Sequence, residues 1–285
     1  MSASTPGQLA RTLNSGAFVA APGIYDLISA RVADRMGFSA LYMTGYGVAA
    51  SHLGLPDAGY MTYTDMLGRV RQICERTTTP LIADADTGFG GALNVQQAVR
   101  GYEQAGCQAI QIEDQEFPKK CGHTLGRRVI PLEDMVTKIR VAADSRRSED
   151  FLIIARTDAR TSLGLDEALR RGEAFAEAGA DILFIESPES EGEMAQIGAR
   201  FDRPLLANLV EGGRTPMLSR ARLTELGYRV AIYPATGFLT TARALQGAYG
   251  AVGADEAAPN LLDFGDMNDL MGFPEVWAFD EKYGS

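Results

Sequence analysis

Acidic side chains recur in this chain at spacings that bring their charges together. Asp84 and Asp86 stand two apart in Ala83-Asp84-Ala85-Asp86-Thr87-Gly88. In an extended segment, residues two apart face the same way, so both carboxylates point into one space. Glu113 and Asp114 follow the apolar stretch from Ala109, Arg156 and Asp158 follow another, and Glu186 and Asn208 close two more. So many carboxylates at one mouth repel one another unless a cation neutralises them. Oxygen ligands with room left for water and substrate suit Mg²⁺ or Mn²⁺ rather than zinc. A second cluster, Lys119-Lys120-Cys121-Gly122-His123, places a cysteine beside two lysines, a glycine and a histidine. Cationic neighbours pull a thiol toward thiolate, and proton donation and nucleophilic attack both depend on that tuning. His52 and His123 do not pair as metal ligands, and no Ser-His-Asp set or nucleophile elbow stands out, so serine-type hydrolysis has no support.

What must position these groups is an alternation of short apolar runs with helical-period segments. Strands are expected at Phe18–Pro22, Ala40–Thr44, Pro80–Asp84, Ala109–Glu113, Phe151–Thr157, Ile182–Ser187, Pro204–Leu209 and Arg229–Pro234. Helices are expected at Leu27–Met36, Asn94–Ala105, Leu132–Ala143, Leu165–Ala178 and Thr236–Val252, several closed by glycine (Gly37, Gly106, Gly179, Gly227). Eight strand–helix units with continuously apolar strands predict an α/β fold, a (β/α)₈ TIM barrel. A doubly wound open sheet fits less well, because Pro22-Gly23-Ile24-Tyr25-Asp26 is not a dinucleotide-binding loop. In a barrel, catalytic groups belong at the carboxyl ends of the strands, where this chain concentrates its polar residues. The expected layout is one domain, with the barrel over about residues 16–253 and a C-terminal helical arm over about 254–285. The arm ends in an aromatic stretch (Phe273, Trp277, Phe279, Tyr283) that packs on its own barrel or reaches a neighbouring subunit.

The chain has 285 residues, 46% hydrophobic and 22% charged, enough to bury one large core. Its 27 basic against 37 acidic residues give a net charge of −10, which disfavours nucleic acid and anionic membranes as partners. The three cysteines (Cys74, Cys107, Cys121) lack paired metal-ligand spacing and read as reduced thiols, so a cytoplasmic location is expected. Met1 to Gly16 shows no secretory pattern, and no window approaches a membrane-spanning apolar run.

Taken in order, these motifs resemble the isocitrate lyase/phosphoenolpyruvate mutase superfamily. The resemblance rests on Pro22-Gly23 with Asp26, Thr44-Gly45-Tyr46, Gly54-Leu55-Pro56-Asp57, Asp84 to Gly90 and Ile112 to Gln115. It continues through Lys119 to His123, Ala155 to Ala159 and Asn208 to Gly213. It implies a barrel whose last helix is exchanged between subunits, in a homotetramer. It implies Mg²⁺ held by Asp84, with Asp86, Asp57 and Glu113 nearby. Thr44, Gly45 and Tyr46 would hold a substrate carboxylate together with Arg156 and Asn208, with Gly122, His123 and Glu186 completing the substrate site. Thr44 stands where much of the family has serine, which keeps the hydroxyl but restricts its rotamers.

The Cys121-Gly122-His123 arrangement resembles the lyase branch rather than the phosphonate enzymes, so carbon–carbon cleavage of a small 2-hydroxy dicarboxylate is expected. Cys121 would protonate the carbanion released, and loop closure would keep water out. The initial base stays open among Tyr42, Glu113 and a metal-linked water. The superfamily's tricarboxylate lyases carry two further arginines, whose positions here hold Leu239 and Met267. A missing cation at a desolvated carboxylate disfavours a tricarboxylate and points to an alkylated malate or to oxaloacetate. Arg127 or Arg128 could restore that cation.

Overall fold

The computed structural model describes residues 4–122, 124 and 126–284. Eight strands are hydrogen-bonded in sequence order into a closed barrel. They are β1 (Val19–Ile24), β2 (Leu41–Met43), β3 (Leu81–Asp84), β4 (Ala109–Glu113), β5 (Leu152–Thr157), β6 (Ile182–Ile185), β7 (Leu205–Asn208) and β8 (Tyr228–Tyr233). All pairs are parallel, and β8 closes onto β1 in the register Val19↔Val230 to Pro22↔Tyr233. Helices Leu27–Asp34, Ala92–Gln104, Leu132–Ser145, Leu165–Glu177 and Thr236–Gly253 occupy the stretches that sequence periodicity marks. Gly37, Gly106, Gly179 and Gly227 all take positive φ, as left-handed helix ends require. The expected sixth strand stops two residues early, because Ser187 itself turns to φ 59 and breaks the extended run.

The period of two along each strand sorts the barrel interior into layers. Val19, Ala21, Tyr42, Ile82, Ala109, Ile154, Phe184, Leu206, Val230 and Ile232 belong to one buried apolar cluster. Removing such side chains from water contributes about 1.5–3 kcal/mol each. Two residues further along the same inward faces come Thr44, Asp84, Arg156, Glu186 and Asn208, all buried. Glu113 stands two beyond Gln111, which lies two beyond Ala109. The apolar floor and the polar mouth are therefore successive turns of one alternation. Leu9, from the helix Gln8–Asn14, joins the apolar cluster and donates its backbone N–H to Gln108 Oε1 at 2.9 Å.

The chain divides into two compact units, one running to Thr236 and one starting at Gly237. In the second, Asp263 caps the helix Phe264–Met271 by accepting from Gly265 and Asp266 N–H, and the helix Phe273–Tyr283 starts with proline in its first turn. No helix among the described residues is long and apolar enough to cross a membrane.

Candidate active site

The polar mouth contains two charge networks. The first surrounds Asp84. Gly45 donates its N–H to Asp84 Oδ2 at 3.2 Å, and Asp84 Oδ1 accepts from Asp86 N–H at 3.0 Å and from Gln111 Nε2 at 3.3 Å. Gly45 opens the helix Gly45–Leu53, which Thr44 caps without using its hydroxyl. A Cβ at Gly45 would meet Asp84 Oδ2 at 2.6 Å, so only glycine lets this helix end approach the carboxylate. Asp86 departs from the strand at φ 48. Its Oδ1 lies 2.6 Å from Lys119 Nζ, which also reaches Asp57 Oδ1 at 2.5 Å. Beneath, Tyr42 Oη donates to Gln111 Oε1 at 3.0 Å.

The second network is centred on Arg156. Its Nε and Nη2 donate to Asp158 at 3.0 and 2.9 Å, and its Nη1 lies 3.2 Å from Glu113 Oε2. The guanidinium stacks 5.1 Å from the centre of the Phe184 ring. Glu186 Oε2 accepts from Asn208 Nδ2 at 3.1 Å and lies 3.6 Å from Arg156, while Ser187 Oγ donates to Glu186 Oε1 at 2.9 Å. Two arginines outside the mouth complete the frame: Arg171 pairs with Asp114 at 2.9 Å, and Arg127 pairs with Asp158.

These environments shift the ionisations in ways that follow from burial. Burial pushes Glu113 well above the usual carboxylate range, despite Arg156 beside it. Burial also raises Asp86 to about 7, against the pull of Lys119 and with help from Asp84 and Asp57. Burial works against the charged form of Lys119; Asp86 and Asp57 outweigh it and hold the ammonium protonated. Asp158 goes the other way: Arg156 and Arg127 outweigh its burial and keep it ionised below the usual range.

A divalent cation can be tested against this donor set. Among the described residues no three acidic, histidine or cysteine side chains converge in a ready metal geometry. The ammonium of Lys119 stands between Asp57 and Asp86 instead. One ammonium stands against the three carboxylates Asp57, Asp84 and Asp86, which leaves them short of positive charge. Glu113 Oε1 is buried and accepts no hydrogen bond. An oxygen-only set with surplus negative charge and an unused buried oxygen fits a hard divalent ion.

The lysine–cysteine loop lies over this mouth. Cys121 N–H donates to Asp57 O at 3.1 Å, Gln115 brackets Lys120 through both its amide atoms, and Ser187 Oγ lies 3.2 Å from Gly122 O. A Cβ on Gly122 would stand 2.3 Å from Arg156 Nη2. The loop is therefore seated directly on Arg156.

Several sequence expectations change here. Lys119 does not serve chiefly to tune Cys121, because two carboxylates consume its charge. Neither Arg127 nor Arg128 supplies an extra substrate cation. Arg127 is buried on Asp158 and Thr161, and Arg128 points to solvent, paired with Glu116. At Tyr42, burial and then the charge of Asp84 hold the proton well above the ordinary phenol range. Its hydroxyl donates to Gln111, whose amide donates in turn to Asp84. Thr44, Gly45, Asp57, Asp84, Asp86, Glu113, Cys121, Gly122, Arg156, Glu186 and Asn208 stand on loops and strand ends of the same barrel face; Tyr46, in the helix Gly45–Leu53, is more exposed. His123 lies outside the described residues. Sequence reasoning missed Gln111 and Ser187. Gln111 had a signal, an amide two residues before Glu113 in an otherwise apolar strand; the positive φ of Ser187 had none.

The chain is similar to known proteins over nearly its whole length. The family model described as phosphoenolpyruvate phosphomutase matches residues 9–252. A 2,3-dimethylmalate lyase of Eubacterium barkeri is 48% identical, covering 99% of each chain. The structure of an oxaloacetate acetylhydrolase in complex with the inhibitor 3,3-difluorooxalacetate superposes with a TM-score of 0.92 at 32% identity, covering 98% of each chain. A phosphonopyruvate hydrolase complexed with oxalate and Mg²⁺ does so with a TM-score of 0.88 at 30% identity, covering 99% of this chain and 100% of that one. On these matches and the barrel that carries its motifs, the chain belongs to the phosphoenolpyruvate mutase/isocitrate lyase superfamily, on its lyase side.

Proposed function

We propose that this protein is a Mg²⁺-dependent carbon–carbon lyase that cleaves an alkylated malate, of which 2,3-dimethylmalate is the type, into pyruvate and a carboxylate. The observation that carries this is the seating of Cys121-Gly122 over one mouth that joins Asp84, Asp86 and Glu113 to Arg156. Asp84 and Asp86 would hold the metal, with Asp57 and Glu113 reaching it directly or through water. Mg²⁺, with Mn²⁺ as a substitute, supplies a Lewis-acid charge that lowers the pKa of the substrate's 2-hydroxyl. Thr44, Gly45 and Tyr46 would bind a substrate carboxylate with backbone and hydroxyl donors at a helix start, helped by Arg156 and Asn208. Gly122 would close over it, with Glu186 holding Asn208 and Arg156 in place, and His123 is a further candidate for substrate binding.

Glu113 is the base this geometry favours. Its Oε1 is buried and unused, and burial raises its proton affinity above that of an ordinary carboxylate. As the hydroxyl proton goes to Glu113, the C2–C3 bond breaks and its electron pair leaves on C3. The C2 oxygen becomes the carbonyl of the 2-oxo acid. Cys121 gives its proton to C3 and yields the second carboxylate, so atoms and charge balance. Seating of the loop keeps bulk water from supplying that proton first.

A diacid is supported by Leu239 and Met267, uncharged where the tricarboxylate lyases of the superfamily carry arginine, and by Arg127, which is paired with Asp158. Hydrolysis of oxaloacetate is the second reading, favoured by the fold match to an oxaloacetate acetylhydrolase. Hydrated oxaloacetate carries a hydroxyl at the same carbon, so the same groups would serve. We further infer a cytoplasmic homotetramer that exchanges its C-terminal helices. Exposed Leu245, Tyr249, Trp277 and Phe279 support the exchange, and the buried thiols of Cys74 and Cys107 a reducing compartment.

A panel of 2-hydroxy and 2-oxo diacids with Mg²⁺, its products read by mass, tests this function. A 2-oxo acid from an alkylated malate supports the lyase. Oxalate plus acetate from oxaloacetate, with no malate cleaved, would move the assignment to hydrolysis.

A further inference from the structure

The loop that covers the mouth has a zipped root. Gln115 and Val129 form an antiparallel bridge, Glu116 N–H donates to Arg128 O at 2.8 Å, and Ile130 N–H donates to Asp114 O at 2.9 Å. Arg127 is the last residue before this stem on the returning side. Its side chain is fully buried, and all three of its nitrogens are engaged. Nε donates to Thr124 O at 3.2 Å within the loop itself, Nη2 to Thr161 Oγ1 at 2.7 Å, and Nη1 to Asp158 Oδ1. Asp158 is the carboxylate that grips Arg156 through two bonds. The loop thus reaches Arg156 twice, directly at Gly122 and through Asp158 at Arg127.

We propose that Arg127 is a positioning residue, a latch that ties seating of the loop to the orientation of Arg156. Its buried guanidinium is turned to Thr124, Thr161 and Asp158 within the fold, and the carboxylate its charge meets is Asp158. When the loop lifts, Arg127 leaves with it, because Thr124 O holds it to the loop. Asp158 then keeps Arg156 as its sole cation, and both become free to reorient. When the loop closes, the second cation returns and Arg156 is clamped with its remaining face toward Glu113. A planar fork is needed for three acceptors in different directions, which an ammonium cannot match.

The catalytic part of this inference rests on the lyase reading; the loop part does not, and the test separates them. Cys121 is partly exposed whereas Cys74 and Cys107 are buried, so alkylation of Cys121, followed by peptide mass, reports loop opening. In metal-free protein without ligand, Arg127→Met should raise the Cys121 alkylation rate by about tenfold or more, the scale of a lost charge-assisted hydrogen bond. Arg127→Lys should recover part of this. With substrate and Mg²⁺, Arg127→Met should lower kcat by about 100-fold with a smaller change in KM. Equal alkylation rates in the parent protein and in folded Arg127→Met would overturn the latch. Should Arg127→Met fail to fold, Thr161→Val removes one acceptor and no charge; it should speed alkylation about threefold, and an unchanged rate would overturn the proposal equally. If no diacid is cleaved by the parent protein, the lyase reading falls, while the alkylation rates still decide the latch.

Discussion

Lys119 Nζ lies 2.6 Å from Oδ1 of Asp86, at the place where the acidic mouth calls for a cation. The lysine sits on the covering loop and the aspartate just past β3, so loop seating and neutralisation of the mouth are one event. If Asp84 holds a divalent ion, that ion would compete with this ammonium for Asp86 and Asp57.

Replacing Lys119 by Met should therefore cost stability and gain metal affinity. Removing one partner of a buried ion pair destabilises by about 3–5 kcal/mol. Most of that loss should return on adding Mg²⁺, which supplies the missing charge. Calorimetric titration and thermal melts with and without Mg²⁺ check both halves; weaker Mg²⁺ binding than in the parent protein would contradict them.

The raised acids fix a pH dependence. Burial lifts Asp86 to about 7 and Asp114 to about 6 in the folded chain. An acid whose folded pKa is raised holds its proton longer in the native state than in the unfolded one. Its contribution to stability therefore falls as pH rises from the unfolded value toward the folded one. Metal-free protein should lose melting temperature between about pH 4 and about pH 7, and Mg²⁺ should remove much of that slope by favouring the ionised Asp86. A flat metal-free profile across this window would refute the buried, crowded state assigned to Asp86.

Gly122→Ala should damage turnover without unfolding the barrel. The added Cβ would stand 2.3 Å from Arg156 Nη2 and 3.0 Å from Glu186 Cδ, so the loop cannot seat where it now sits. The expected loss in kcat/KM is about 100-fold, with the melting temperature nearly unchanged. Steady-state kinetics and a melt decide it.

Cys121→Ser should bind Mg²⁺ and product as before and lose about 10²–10⁴ in kcat, the range for a general acid. Product binding by calorimetry beside single-turnover rates checks the separation. Turnover equal to the parent protein would remove Cys121 from the chemistry.

Much of this architecture was legible in the residues. The period of two that makes Ile82 a core residue makes Asp84 a mouth residue, and likewise for Ile154 with Arg156 and Phe184 with Glu186. Glycines at helix ends marked the returns to the sheet. Partner choice was not legible. Lys119 and Arg127 read as loop cations free for a thiol or a substrate, yet both are buried on carboxylates far away in sequence, Asp57 and Asp86 for one, Asp158 for the other. Such pairings depend on which side of a folded loop each side chain takes, and no local spacing encodes that. The turn at Ser187 was equally hidden, because serine has no local preference for positive φ.

The central claim is metal-dependent scission of a small hydroxy diacid, and one titration tests it most directly. Protein stripped with chelator is mixed with 2,3-dimethylmalate, Mg²⁺ is restored stepwise, and pyruvate and propionate are quantified together. The account predicts no products before the metal and equal amounts of both afterwards, saturating with Mg²⁺. No pyruvate from metal-loaded, folded protein, or full turnover in the chelator, would contradict it.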